Sequence, residues 1–70
     1  MDYEKYDYLY NERAGILEHE AGFKREDAEK KAWIETKFKF IEDNGLNMVK
    51  QEDYNKVIRL QRALNINRNY

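Results

Sequence analysis

Arg13-Ala14-Gly15-Ile16-Leu17-Glu18-His19-Glu20-Ala21-Gly22-Phe23-Lys24-Arg25-Glu26-Asp27-Ala28-Glu29 decides the fold. It reads as the end of one helix, a glycine corner and the start of the next. Gly22 stands where a chain leaving a helix wants a left-handed backbone, which glycine adopts freely. Lys24 falls at the following N-cap, with Asp27 three positions on and Phe23 placed to staple onto Ala28. Lysine offers no acceptor to the free amides of a first turn. Glu26, Asp27 and the staple must therefore carry that start.

Working towards the N-terminus, Tyr3, Tyr6, Tyr10, Ala14, Leu17 and Ala21 recur at spacings of three and four, one face of a helix over residues 3–21. Leu9 and Ile16 widen that face. Asp2, Glu4 and Asp7 lie in the first turns, where the helix dipole favours negative charge. Tyr8 points away from the face. Arg13 falls between its Leu9/Ile16 and Tyr10/Leu17 edges. It either anchors a phosphate or a partner carboxylate, or lays its stem on the apolar surface and pairs with Glu20 or an acid of the second helix.

Working towards the C-terminus, a second helix spans 25–43 and stops at Asn44-Gly45. Its apolar residues divide into two stripes. Ile34, Phe38 and Ile41 line one side; Trp33 and Phe40 line another, with Lys30 and Lys37 between. Either the other helices cover both stripes, or Trp33 and Phe40 stay exposed as anchors for a partner. Val49 to Tyr54 repeats the pattern of Phe23 to Ala28 and starts a third helix, 51–65. That helix is apolar along Tyr54, Val57, Ile58, Leu60 and Leu64, with Gln61 inside the face. Lys56, Arg59 and Arg62 fall on its back, and residues 66–70 read as a polar, frayed tail.

The whole is an all-α, single small domain, 1–70: a helical hairpin plus a third amphipathic helix. Proline is absent and glycine scarce, a helical balance. A core of this size supplies roughly 3–5 kcal/mol, so small scaffolds lean on a staple or on self-association. No cysteine is present and only one histidine, which removes disulfides and the usual zinc sites. A homo-oligomer is therefore expected. No apolar run approaches the roughly 20 residues of a membrane span, and no signal peptide opens the sequence. The expected location is the cytoplasm, with no membrane partner.

Catalytic chemistry finds no footing. Serine and cysteine are missing and Thr36 is the single threonine, so the usual nucleophiles are nearly absent. His19-Glu20 begins like a His-Glu-x-x-His metal helix, but Phe23 stands where the second histidine belongs. No cofactor, no metal site and no catalytic residue is expected. Formal net charge is −1, unevenly spread. Asp2, Glu4, Asp7, Glu12, Glu18 and Glu20 make the first helix acidic. No acid follows Asp53, while Lys56, Arg59, Arg62 and Arg68 lie beyond it.

Residues 12–29 resemble a short segment of phage and plasmid proteins, found at the ends of some DNA replication proteins and in small free-standing phage products. The likeness is carried by Glu12-Arg13-Ala14-Gly15-Ile16-Leu17-Glu18, the corner Ala21-Gly22-Phe23, and Arg25-Glu26-Asp27-Ala28-Glu29. Lys24 departs from it, since serine or proline usually stands there. The resemblance implies a phage or mobile-element origin, hence a host-cell cytoplasm, and brings no catalytic residue.

The expected function is that of a small accessory protein that binds another protein, such as a host enzyme or complex, and inhibits or redirects it. Tyr3, Tyr6, Tyr8, Tyr10, Arg13, Trp33 and Phe40 are the candidate contacts. The alternative is a nucleic-acid-associated replication or regulatory factor using Lys56, Arg59, Arg62 and Arg68.

Overall fold

A computed structural model describes residues 2–66 of the chain. Three helices follow in order, α1 (Tyr3–His19), α2 (Arg25–Asp43) and α3 (Gln51–Ala63). Among the described residues there is no strand, and no helix is long and apolar enough to cross a membrane.

α1 and α2 form an antiparallel hairpin, tied at both ends and in the middle. At one end Tyr6 Oη donates to Asp43 Oδ2 at 2.8 Å, and Lys5 Nζ lies 3.5 Å from the same oxygen. At the other, Arg25 reaches Glu18 at 2.9 Å. Midway, Arg13 Nε meets Glu35 Oε2 at 2.7 Å. Exposed ion pairs of this kind contribute little individually. The hairpin is held by apolar burial.

The burial is organised around small residues. Ala28, Ala32 and Thr36, spaced by four, form the floor of α2 and are all buried. Ala14 of α1 is equally buried. Small side chains let two helix backbones approach, and larger ones then close around them. Tyr6, Tyr10 and Leu17 of α1 join Trp33 and Phe40 of α2 in one cluster. Tyr6 packs edge-on to Phe40 with ring centroids 5.1 Å apart, a favoured aromatic geometry. The Thr36 hydroxyl is satisfied by the Ala32 carbonyl at 2.7 Å. α3 adds Val57, Leu60, Leu64 and the following Ile66 to the same cluster. It touches α2 along a narrow line, whereas α1 and α2 meet along their length.

The helix ends sharpen the expected boundaries. α1 stops at His19 rather than residue 21: its last turn widens, with Ala21 N–H reaching the Ile16 carbonyl at 3.3 Å and Phe23 N–H the Leu17 carbonyl at 2.9 Å. Gly22 takes the left-handed backbone, φ 72°. α2 ends as expected. Leu46 N–H bonds Ile41 O and Gly45 N–H bonds Glu42 O, with Gly45 at φ 58°. That pair of hydrogen bonds around a left-handed residue is the Schellman stop. α3 ends the same way, at Ala63 rather than 65, through Ile66 N–H to Gln61 O and Asn65 N–H to Arg62 O.

Here Asn65, at φ 58°, takes the place of glycine. The expected frayed tail is corrected at its start: Ile66 is buried, and the Gln61 amide donates to its carbonyl at 3.2 Å. Residues 67–70 of that tail lie outside the described residues.

Both later helices begin at a lysine. Lys24 and Lys50 are the N-caps of α2 and α3, and neither side chain makes a capping bond. The expected staple before the third helix fails at Val49, which is 92% exposed. The loop before α3 is instead fixed by polar bonds. Asp53 accepts from Asn47 N–H at 2.8 Å, and the Asn47 side chain accepts from Val49 N–H at 3.0 Å.

Candidate functional site

The hairpin leaves one side of α2 without a helix over it, and α3 crosses beside that side. Between them runs a groove of about 210 Å3. Trp33, Lys37, Phe38 and Ile41 form the α2 wall; Tyr54, Val57, Ile58 and Gln61 form the α3 wall, with Met48 of the connector joining them. Its base is core, since Trp33 and Val57 are buried, while Phe38 is 62% and Tyr54 47% exposed on its lips. Lys37 Nζ stands 5.9 Å from the Trp33 ring centroid, within the range of a cation–π contact. An open apolar floor with aromatic lips and a basic edge suits a peptide or helix better than a small polar substrate.

The structure separates the residues expected to bind. Trp33 is 1% exposed and Phe40 fully buried, so as exposed anchors both are corrected to core. Neither alternative holds whole: the Trp33/Phe40 stripe is covered, and the stripe left half open is Ile34, Phe38 and Ile41. Tyr6 and Tyr10 are buried as well, and Tyr3 is half-buried. Their hydroxyls serve the hairpin: Tyr6 bonds Asp43, and Tyr10 bonds Glu29 at 3.2 Å.

Burial, then the bond to Asp43, raises the Tyr6 hydroxyl pKa. Tyr8 alone of the four points fully outward. It is hydrogen-bonded to Glu12, which raises its pKa in turn. Arg13 is exposed and pairs with Glu35 of α2, a two-point contact with Nη2 to Oε1 at 3.5 Å. Of its two expected partners, the acid on the second helix is the one found. Arg13, Glu35 and Lys39 border a second hollow of about 190 Å3 on the other side of the hairpin, floored by Leu9 and Thr36.

The basic back of α3 is only partly available. Lys56 pairs with Asp53 at 3.5 Å, Arg59 and Arg62 are exposed, Arg62 towards the groove one turn after its lining residue Ile58 rather than on the back, and Arg68 lies outside the described residues. Among the described residues no group of His, Cys, Asp or Glu side chains could hold a metal ion.

Sequence reasoning overlooked the groove because it counted only large apolar residues. The row Ala28, Ala32, Thr36 was the available signal. Small residues at helical spacing mark the closest helix contact, and centring the buried face on them draws in Trp33 and Phe40 and leaves Phe38 outside. Comparison of the chain with family models, curated proteins and solved structures found no match.

Proposed function

We propose that this chain is a small non-enzymatic accessory protein that acts by binding another protein, and that the groove between α2 and α3 is its docking site. The observation that carries this reading is the pair of exposed aromatics, Phe38 and Tyr54, above a floor that includes Trp33. Large aromatics at the edge of a formed hollow are the residues around which interfaces concentrate their energy. The likeness of residues 12–29 to a phage segment supports a phage-type role, in which occupying a host protein's surface inhibits or redirects it.

The test is affinity capture from the natural host with mass spectrometry, comparing the natural chain with Phe38→Asp. Phe38 is exposed, so the variant is expected to keep its helix content and melting behaviour. Loss of one specific partner from the variant supports the reading, and equal capture by both overturns it. DNA recovered from both in a salt-sensitive manner would favour the nucleic-acid alternative along Arg59 and Arg62.

A further inference from the structure

We propose that the groove between α2 and α3 receives the acidic outer face of α1 from a second copy of this chain, with Tyr8 as the anchor. The inference rests on the docking role of the groove given above and adds a second copy of this chain as an occupant that competes there with the host protein.

Two complementary surfaces support it. The groove side is basic. Along α2, Lys30 and Lys37 lie between its two apolar stripes, Glu35 is tied to Arg13 across the α1 side, and Glu42, one turn after Phe38, is the acid at the end of the groove. Lys37 lines the groove itself. On α3 no acid follows Asp53, and Arg62 comes one turn after the lining residue Ile58.

The outer face of α1 is the reverse. Glu4, Tyr8 and Glu12, at successive spacings of four, are all exposed and share one helical stripe. Tyr8, 68% exposed, is the large hydrophobic that α1 turns to solvent. An aromatic flanked by two carboxylates is the chemistry that an apolar slot with a basic rim selects.

These surfaces cannot meet within one chain. Tyr8 faces away from α2, because Tyr6, Tyr10, Ala14 and Leu17 form the opposite, buried side of α1. The groove lies on the far side of α2. Satisfying both requires two copies, and the formal net charge of −1 sets up little overall repulsion. A contact joining unlike patches is heterologous: it closes into a ring or continues as a filament. Self-association also supplies what so small a core lacks.

The experiment is molar mass by light scattering and sedimentation across a concentration series. It uses the natural chain, a ridge variant (Tyr8→Ala with Glu12→Lys) and a groove variant (Phe38→Asp with Arg62→Glu). All four positions are exposed, and circular dichroism verifies that each variant folds. The natural chain is expected to exceed its monomer mass of 8.6 kDa increasingly with concentration, and less so at high salt.

Each variant alone is expected to stay monomeric. Their equimolar mixture, with one intact surface on each partner, is expected to stop at a dimer. A natural chain that stays monomeric throughout overturns the inference. So does a ridge variant that still associates, which would mean groove-to-groove contact, or a mixture that stays monomeric. If any of these occurs while capture of a host protein still depends on Phe38, the docking role of the groove survives and only the contact between copies falls.

Discussion

The Tyr6 hydroxyl donates to Asp43 Oδ2 at 2.8 Å, joining the first turns of α1 to the last residue of α2. The ring of Tyr6 is buried against Phe40, while its oxygen meets the one carboxylate that Lys5 and Lys39 also approach. Tyr6→Phe keeps the packing and removes the bond. The expected loss is about 1 kcal/mol, a fall of about 4–8 °C in melting midpoint for a domain of this size. An unchanged midpoint would show that water replaces the contact without loss.

Acid should loosen the same clasp. The Asp43 carboxyl lies below its ordinary value chiefly because of the Tyr6 hydrogen bond, Asp53 because of the Asn47 amide, and Glu18 because of Arg25. A depressed folded pKa contributes stability that is fully present above the unfolded value, 3.8 for the aspartates and 4.5 for Glu18. That stability is lost as pH falls through the lower folded value. The melting midpoint should therefore fall with pH below about 4.5, and Asp43→Asn should reduce the slope. A midpoint indifferent to acid would contradict these contacts.

The N-cap of α2 is open to improvement. Lys24 has extended backbone geometry and no capping bond. Lys24→Ser supplies an acceptor for the first-turn amides and should stabilise the fold by about 1 kcal/mol. Chemical denaturation checks it, with the midpoint moving up and the slope unchanged.

Gly15 lies inside α1, and a Cβ placed there meets nothing within 4 Å. Gly15→Ala should stabilise the helix by about 0.5–1 kcal/mol, because alanine surrenders less backbone freedom on folding. The same denaturation measurement decides it.

Trp33 and Phe38 should part company under mutation. Trp33→Ala empties a buried site and should cost about 3–5 kcal/mol, comparable with the whole stability of so small a domain. Phe38→Ala should change stability by less than about 0.5 kcal/mol. Equal sensitivity of the two would mean that the α2 stripes are not divided as described.

Local signals in the sequence determined the three helices, because capping residues, glycine stops and apolar spacing act over a few residues. α2 was legible to its ends, Arg25 and Asp43. Helices one and three were legible to within two residues, where Gly22 and Asn65 reverse the backbone. Tertiary structure alone decided which stripe of α2 became core. Close approach of α1 over Ala28, Ala32 and Thr36 sets the rotation of the hairpin, and that rotation buries Trp33 and Phe40 together with Tyr6 and Tyr10.

It also decided what Arg13 meets, since its Glu35 partner is distant in sequence and adjacent only across the hairpin. The corner from Arg13 to Glu29 announces that two helices fold back on each other. How far each is turned about its axis depends on packing between side chains distant in sequence, and the groove exists because of that turn.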